Sequence, residues 1–426
     1  MYVHDYIEKL IGKGYKRIVE AGTLDSEYEP TRKIYEAHGN LVFFGLKDSP
    51  IQCYANILSD RRDLYTALGV SSDVEAYEKI LQALSNPVQL EYTGFNEYYK
   101  ATDLNLYDIP FIKYYPEDGG HYLTSSIIAS CYKDICNASY HRMMRLNAEE
   151  ATLRIVPRHL DYIVRKYHEE DTDAPVAVIL GLHPIYELAA AMSPPLGVYE
   201  FQVAARLLGD NLAVRTPIYN IPVPPYASII LEGRITRRTD WEGPFVDILR
   251  TVDKRRKQPV FEVEAIYMSR EKPPLVHAIV PGLDEHLVLM GFPREPLIYD
   301  SVRRVSPQVR AVRLTRGSGG WLHVVVSIKQ TRPREAVNAG LAVLNGHPSV
   351  KHVVVVDDDI NVDDPHMVEW AIATRVRAGE DVIVIRGTRG STLDPRSEGG
   401  VGDKMIIDAT KPFDEPWDNY RFVRIP

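Results

Sequence analysis

The chain has 426 residues, 45% of them apolar and 25% charged, so its length exceeds what one hydrophobic core usually organises. This composition is that of an ordinary folded, enzyme-sized protein and excludes a largely disordered chain. The formal net charge of -8 argues against a general nucleic-acid binder, which would carry an excess of basic residues.

Cysteine usage and the chain start indicate the compartment. Three cysteines, at positions 53, 131 and 136, are too few for a disulfide framework, and no CxxC pair indicates a zinc site. The chain start lacks the basic residues and apolar run of a signal peptide, and no apolar stretch of about 18 residues occurs. We therefore expect a cytoplasmic protein with no membrane span.

Residues 1–105 alternate between helical and strand-like patterns, which predicts a small N-terminal α/β domain. Apolar residues at helical spacing begin the chain, and the apolar run 41–45 predicts a buried strand. Two amphipathic helices are predicted over residues 57–68 and 73–84.

Strand patterns dominate residues 106–295. An Asp-Gly-Gly turn between two apolar runs predicts a β-hairpin over residues 110–124. Further strands follow one another without regular helical crossovers, with helices only over 160–167 and 200–208. A mostly antiparallel split β-barrel with inserted helices fits this pattern better than a parallel sheet.

From residue 296 to 426 the pattern changes to strands that alternate with helices. The βαβαβ order predicts a C-terminal α/β domain with a partly parallel sheet. The expected fold class is therefore a multidomain α+β or α/β protein with three domains: 1–105, 106–295 and 296–426.

One polar segment in the middle of the chain has the residue types of a binding site. Asn137 offers an amide oxygen to a hard cation, and Arg142 could bind an anion with two hydrogen bonds. His159 follows a strand-like segment and opens a helix, so it is either a ligand or a histidine satisfied by the helix start. Asn137 also lies in an N-x-Ser sequon, so the segment alone is not specific.

Four further charged residues each have an ordinary alternative. Glu232 suits a polar barrel interior or a solvated strand end, because it shares a strand face with Ser228. Asp284 and Glu285 stand at a turn before an apolar segment, where acids also stabilise a helix start. Lys404 is a lone cation in an otherwise apolar strand.

Taken in order, these clusters resemble the UbiD-type decarboxylases, which use prenylated FMN, over about residues 105–412. The wording of the motifs carries the resemblance: Asn137 with Arg142, Pro157-Arg158-His159, Leu231-Glu232-Gly233, Glu242-Gly-Pro-Phe, Asp284-Glu285, Asp357-Asp-Asp-Ile-Asn361 and Lys404-Met-Ile-Ile-Asp-Ala-Thr.

The resemblance implies a site for prenylated FMN. A divalent metal, usually Mn²⁺, would hold the flavin phosphate through Asn137, His159 and Glu232, a mixed oxygen and imidazole set that suits manganese. A K⁺ ion would lie beside it near backbone carbonyls. The remaining cofactor-binding residues implied are Ala138, Ser139, Arg158, Met192, Ser193 and Lys404.

The resemblance also implies non-oxidative decarboxylation of an α,β-unsaturated acid. Arg142 would orient the substrate carboxylate, and Glu285 would protonate the carbon that carbon dioxide leaves. Asp284 would complete this acid-arginine-acid network, with Glu264 as the alternative second acid.

Two substrate branches fit the resemblance. One takes aromatic 4-hydroxy-3-polyprenylbenzoates, and the other, of archaeal type, converts trans-anhydromevalonate 5-phosphate to isopentenyl phosphate. The short chain and a composition poor in Gln and rich in Val, Ile, Arg and Glu, as in thermophiles, favour the phosphorylated acid. The family also implies a flavin prenyltransferase as cofactor supplier and a homo-oligomer, dimer or hexamer, formed through the third domain and its Trp370 helix.

Two functions of other classes stay open from the residues. The segment Val353–Asp359, a strand followed by three aspartates, resembles the metal-binding motif of nucleotide-sugar transferases. A non-catalytic flavin carrier would need the phosphate ligands but neither Arg142 nor an acid beside it.

Overall fold

The computed structural model describes residues 1–423, and the chain divides into two compact units. The first unit comprises Met1–Ser71 and Gln82–Leu289, and the second comprises Ser72–Leu81 and the described residues from Met290 onward. The three-domain division stays a prediction, although its second boundary lies close to the change of unit at Met290.

The first unit has short amphipathic helices. They are α1 (Val3–Gly12), α2 (Glu29–Glu36), α3 (Arg61–Leu68), the last turn of α4 (Asp73–Ser85), α5 (Phe95–Tyr98), α6 (His159–Glu169), α7 (Pro184–Met192), α8 (Glu200–Leu208) and all but the last two residues of α9 (Asp284–Gly291). The helix predicted from residue 57 begins at Arg61, because the Asp60 carboxylate caps it by accepting a hydrogen bond from the Arg62 amide.

The strands of the first unit range from two to fourteen residues. They are β1 (Ile18–Leu24), β2 (Leu41–Leu46), β3 (Ser49–Ala55), β4 (Glu91–Thr93), β5 (Tyr99–Thr102), β6 (Tyr122–Leu123), β7 (Ile127–Tyr132), β8 (Ile135–Tyr140), β9 (Met143–Arg145), β10 (Glu150–Leu153), β11 (Ala174–Leu180), β12 (Leu212–Arg215), β13 (Pro222–Val223), β14 (Ile229–Glu242), β15 (Phe245–Val246), β16 (Val252–Asp253), β17 (Arg256–Ser269) and β18 (Leu275–His277).

A nine-stranded antiparallel sheet forms the centre of this unit, in the order β6-β9-β10-β17-β14-β11-β7-β8, with β5 paired to β17. Aliphatic side chains such as Val176, Val178 and Leu231 are fully buried and form its core. The prediction of antiparallel strands is confirmed. The prediction of a barrel is not, because the edge strands β6 and β8 do not pair with each other in the described structure.

The segment 110–124 is not the predicted hairpin, since only an isolated antiparallel bridge joins Ile112 to Tyr122. Its glycines serve close packing instead. The Gly119 amide donates to the Pro244 carbonyl at 2.7 Å, and a Cβ on Gly119 would lie 2.3 Å from the Gly243 oxygen. The Gly-Gly sequence therefore lets two backbone segments meet, which holds the end of β14 in place.

The hairpin that the sequence analysis missed is β7–β8. Cys131 and Cys136 face each other across it and form a disulfide with a Cα–Cα distance of 4.0 Å. The third cysteine, Cys53, is buried and free. One hairpin disulfide is not a framework, but it joins the two strands immediately before Asn137.

A second sheet of this unit has the order β1-β2-β3-β18. Strands β1 and β2 are parallel, as are β3 and β18, whereas β2 and β3 are antiparallel. Because β18 comes from residues 275–277, the predicted N-terminal domain shares its sheet with a later part of the chain.

The second unit confirms the predicted alternation of strands and helices. Its strands are β19 (Val309–Leu314), β20 (His323–Ile328), β21 (His352–Asp357), β22 (Val382–Arg389) and β23 (Val401–Ala409), and its helices are α10 (Glu295–Arg303), α11 (Glu335–Gly346), α12 (Pro365–Arg375) and α13 (Ala378–Asp381). The sheet order is β19-β20-β21-β23-β22, with β20, β21 and β23 parallel and the two outer strands antiparallel. The expected partly parallel sheet is therefore present.

Within residues 1–423, no helix has both the length and the apolar character needed to cross a lipid bilayer. The expected absence of a membrane-spanning helix agrees with this finding, and the cytoplasmic location stays a prediction.

Candidate active site

Arg142, between β8 and β9, pairs with two carboxylates of the first unit. Its Nε and Nη2 atoms donate to the two carboxylate oxygens of Glu242 at 2.8 and 3.1 Å, and Nη2 also donates to Asp253 at 2.8 Å. Glu242, the last residue of β14, is fully buried, and the Phe245 ring lies 4.2 Å from the guanidinium carbon. Two parallel charge-assisted bonds fix the guanidinium plane. Its Nη1 group makes no hydrogen bond to any described residue and remains available to a ligand.

The pKa values of two acids near Arg142, Asp247 and Asp253, are shifted in opposite directions. Asp247 follows β15 and is buried, and burial raises the pKa of its carboxyl group. Burial would also raise the pKa of Asp253, but hydrogen bonds from Arg256 and Arg142 lower it to about 2. One arginine thus stands near an acid that stays ionised and an acid that holds its proton to higher pH, a pairing typical of acid-base sites.

Asn137, on β8, meets a carboxylate from α8. Its Nδ2 atom lies 2.7 Å from Glu200 Oε1, and the Ala138 amide donates to Glu200 Oε2 at 2.7 Å. Both side chains are buried, with 2% of Asn137 and 1% of Glu200 exposed. Burial raises the pKa of Glu200 to about 8. The site therefore holds a buried acidic side chain whose hydrogen-bond donors are all neutral.

A chain of hydrogen bonds orients the Asn137 amide. The Ser139 hydroxyl donates to Asn137 Oδ1 at 2.8 Å and lies 3.0 Å from His141 Nε2, while His141 Nδ1 lies 3.0 Å from the Arg154 carbonyl oxygen. Burial and the nearby Arg158 charge lower the pKa values of both His141, to about 4, and His159. No hydrogen bond joins His159 to Asn137 or Glu200 in the described structure, so its role as a metal ligand stays a prediction.

The donor set fits a bound cation. An amide oxygen, an imidazole and a carboxylate suit a divalent transition metal, and no cationic side chain among the described residues pairs with Glu200. A buried carboxylate without a counter-charge is costly, so a cation would stabilise it. Within residues 1–423 no three His, Cys, Asp or Glu side chains converge as a metal site, so a cation here would depend on the Asn137 amide.

The structure does not bring Glu232, the predicted third ligand, to Asn137. Glu232 is buried in the middle of β14 and accepts hydrogen bonds from the Ile218 amide at 3.2 Å and the Tyr219 amide at 2.7 Å. The register places Ala138, Ala129, Ala177 and Glu232 in one row across four neighbouring strands. Three strand spacings of about 4.8 Å each separate β8 from β14.

Glu285, the predicted proton donor, belongs to a different cluster. Its two oxygens accept hydrogen bonds from the Asn56 and Leu58 amides, both at 2.7 Å. His277 Nε2 forms an ion pair with Glu285 at 2.8 Å, and its Nδ1 lies 3.0 Å from Glu187. Burial opposes ionisation, but His277 and the two amides lower the pKa of Glu285. An ionised carboxylate with both oxygens engaged is poorly suited to donate a proton. Asp284 begins α9, as the helix-start alternative describes.

Other predicted cofactor residues lie on elements that pack against β8 or directly follow them. Helix α7 ends at Met192, and Ser193 follows with a left-handed backbone, φ 55°. Helices α7 and α8 pack against each other and against β8. Ala138 thus lies on a strand that packs against the helix before Ser193, and the role of these residues toward K⁺ stays a prediction.

Lys404 and the aspartate motif belong to the second unit. Lys404, on β23, is buried, and its Nζ donates to the Pro348 carbonyl oxygen at 2.5 Å. Its role toward the cofactor phosphate stays a prediction. Arg375 forms ion pairs with Asp357 at 3.0 Å and Asp359 at 2.7 Å. An arginine therefore occupies the carboxylates that a nucleotide-sugar transferase would use for its metal.

Sequence reasoning missed Glu200, Glu242 and Asp247. A usable signal existed for Glu200, because Glu200, Val203, Ala204 and Leu207 share one buried face of α8 and an acid on such a face needs a partner. Glu242 was part of the Glu242-Gly-Pro-Phe motif, but no function was assigned to it.

Two family models match most of the chain. Residues 89–284 match the family model described as the 3-octaprenyl-4-hydroxybenzoate carboxy-lyase Rift-related domain, and residues 287–409 match the C-terminal domain of the same family. The anhydromevalonate phosphate decarboxylase of Aeropyrum pernix is 44% identical over 424 residues, covering 99% of this chain and 95% of the relative.

Solved structures are similar over the whole chain. The UbiD-class enzyme HmfF from Pelotomaculum thermopropionicum in complex with FMN has a TM-score of 0.94 at 32% identity, covering 100% of this chain and 98% of that one. An evolved dimeric form of HmfF in complex with prenylated FMN has a TM-score of 0.90 at 30% identity, covering 100% and 97%. This chain therefore belongs to the UbiD family of carboxy-lyases.

Proposed function

We propose that the protein is a prenylated-FMN-dependent decarboxylase that converts trans-anhydromevalonate 5-phosphate to isopentenyl phosphate. The observation that carries the proposal is the buried Arg142–Glu242 pair with Asp247 beside it. The 44% identity to an anhydromevalonate phosphate decarboxylase along nearly the full length supports the choice of substrate.

Arg142 orients the substrate carboxylate. Glu242 holds the guanidinium plane through two hydrogen bonds, so the free Nη1 group points in a fixed direction. Positioning of this kind lowers the barrier by fixing the reacting group before the reaction begins. Without the Arg142 cation, the substrate carboxylate would meet the negative charges of Glu242 and Asp253.

Asp247 donates the proton that replaces carbon dioxide. Its raised pKa, caused by burial, keeps it protonated to higher pH than an exposed aspartate. The Leu249 amide and the Thr251 hydroxyl hold one of its oxygens at 3.0 and 3.2 Å, which leaves the other oxygen for the substrate. Asp247 therefore takes the role first assigned to Glu285.

Asn137, His159 and Glu200 hold the divalent metal, with Mn²⁺ as the expected ion and K⁺ near Ala138 and Ser193. Glu200 replaces Glu232 in this set because its carboxylate lies beside Asn137. Ser139 and Arg158 stand next to these ligands in the sequence, and the role of Lys404 toward the phosphate stays a prediction. When bound, prenylated FMN would accept the electrons that loss of carbon dioxide leaves on the alkene carbon.

The test is an activity assay on protein co-expressed with a flavin prenyltransferase. Purified protein is incubated with trans-anhydromevalonate 5-phosphate or with 4-hydroxy-3-polyprenylbenzoate, and carbon dioxide and organic product are measured. We expect a flavin absorbance spectrum and turnover of the phosphorylated acid. Turnover of the aromatic acid alone would establish the other substrate branch, and a flavin-loaded protein inactive on both would favour a carrier.

Self-association is part of the proposal. Trp370 packs on Phe422 with ring centroids 5.0 Å apart, and its role at an interface stays a prediction. Light scattering of the purified protein would show whether it is a dimer, a hexamer or a monomer.

A further inference from the structure

Three guanidinium groups surround the carboxylate of Asp253. Arg256 donates to both of its oxygens at 2.7 and 2.5 Å, and Arg142 donates to Oδ2 at 2.8 Å. Arg154 Nε lies 4.0 Å from the same Oδ2 atom. A single carboxylate is therefore shared by three cations, and its distance to Arg154 is the longest of the three.

Arg154 has unused binding capacity. Among the described residues its only side-chain hydrogen bond is from Nη1 to the neighbouring Ile155 carbonyl oxygen at 3.0 Å. Burial and the positive charges of Arg256 and Arg142 lower the pKa of Arg154. Because a guanidinium stays charged in proteins, the result is a partly buried cation with donors to spare.

The local charge balance favours an anion. Arg142, Arg154 and Arg256 carry three positive charges, whereas Glu242 and Asp253 carry two negative ones. Asp247, the remaining acid near Arg142, has a raised pKa because of burial. A bound anion would offset the excess of positive charge.

The backbone holds Arg154 beside Arg142. The Arg154 amide donates to the Arg142 carbonyl oxygen at 3.1 Å, and Arg256 is the cross-strand neighbour of Glu242 on β17. Arg142 directly precedes β9 and Arg154 directly follows β10, two strands that pair with each other, and Arg256 begins β17. Two anionic groups of one small molecule could each meet a separate guanidinium here.

We propose that Arg154, assisted by Arg256, binds the phosphate group of the substrate while Arg142 binds its carboxylate. This assignment rests on the proposed function, since the proposed substrate carries these two anionic groups at opposite ends of a short pentenoate chain. A planar guanidinium fork matches a phosphate with two parallel hydrogen bonds. Arg154 is therefore a residue that selects phosphorylated over unphosphorylated acids.

The experiment compares flavin-loaded wild-type protein with Arg154→Gln and with Arg165→Gln. Arg165 is an exposed arginine on α6, paired with Asp161, and loses the same charge away from the site. Steady-state kinetics use trans-anhydromevalonate 5-phosphate and its unphosphorylated acid. Calorimetry measures binding of isopentenyl phosphate, which needs no turnover. Circular dichroism and flavin absorbance check folding and cofactor content, and Arg154→Lys serves if Arg154→Gln does not fold.

We expect Arg154→Gln to raise KM for the phosphorylated acid, and Kd for isopentenyl phosphate, on the order of 10- to 100-fold. Its kcat and its kcat/KM for the unphosphorylated acid should change by less than about threefold, and Arg165→Gln should behave as wild type. Equal effects on both acids, unchanged Kd or loss of flavin in Arg154→Gln would overturn the proposal. Wild-type protein that binds isopentenyl phosphate through Arg154 but releases no carbon dioxide would refute the proposed function alone.

Discussion

Among the acids of the first unit, environment separates those that can give up a proton from those that cannot. Asp247 is buried with a raised pKa, whereas the pKa of Glu285 is lowered and both its oxygens are engaged. Residue type and position in the chain could not distinguish them. The difference depends on which backbone amides and cations the fold brings to each carboxylate.

Replacing Asp247 by Asn should lower kcat by roughly 10²- to 10⁴-fold, the usual contribution of a positioned general acid. Flavin content should stay at the wild-type level, because Asp247 is not among the proposed cofactor ligands. Glu264→Gln is the matched control, since Glu264 pairs with Arg234 at 3.2 Å on a different part of the sheet. Wild-type kcat in Asp247→Asn would remove Asp247 from the mechanism.

His277 stabilises the fold rather than the reaction. Although burial opposes its charge, Glu187 and Glu285 raise the pKa of His277 to about 10. Unfolded histidine has a pKa of about 6.5. The charged form is therefore favoured in the folded state, so its contribution to stability is complete below about pH 6.5 and is lost as the pH rises through about 10.

His277→Gln should lower the free energy of unfolding at pH 6 by about 3–5 kcal/mol, because it leaves two buried carboxylates without their cation. The difference from wild type should shrink toward pH 10. Denaturant titrations at both pH values measure it, with the exposed His366→Gln as control. A deficit that grows with pH would mean that His277 is neutral in the folded protein.

At the scale of elements, the hairpin β7–β8 carries Asn137, and the Cys131–Cys136 disulfide joins its strands. A loop of this length, with the cysteines five residues apart, predicts about 2 kcal/mol of stabilisation by the chain-entropy estimate. Dithiothreitol should lower the free energy of unfolding of wild-type protein by that amount. The double variant Cys131→Ser, Cys136→Ser should have the lower free energy of unfolding with or without dithiothreitol. If dithiothreitol leaves the free energy of unfolding of the wild-type protein unchanged, the disulfide is absent.

Periodic elements could be predicted from the sequence, and elements defined by remote contacts could not. The helix α8 and the alternation of the second unit follow from apolar spacing over many residues. The segment 110–124 has the turn residues of a hairpin, but Gly119 makes room for the Gly243 backbone, more than a hundred residues away in sequence. The glycines are therefore needed for the local backbone, but for close packing against a remote segment and not for a hairpin turn.

At the scale of the whole molecule, the site is built from pairs that sequence spacing does not connect. Asn137 meets Glu200 across 63 positions, and Arg142 meets Glu242 across 100. The residues Asn137, Arg142 and His159 could be singled out from their motif order, because they stand close together in the chain. The partner acids could not, because sheet topology chooses them: β14 lies next to β11 and ends beside Arg142.

We propose that Asn137 and Glu200 together, and not Glu232, bind the cation that holds the flavin. The most direct measurement is the metal and flavin content per chain of wild type, Glu200→Gln and Glu232→Gln, each co-expressed with a flavin prenyltransferase and checked for folding. Glu200→Gln should lose most of its manganese and flavin, while Glu232→Gln keeps both. Full metal and flavin content in Glu200→Gln, with loss of both in Glu232→Gln, would show that Glu232 and not Glu200 is the metal ligand.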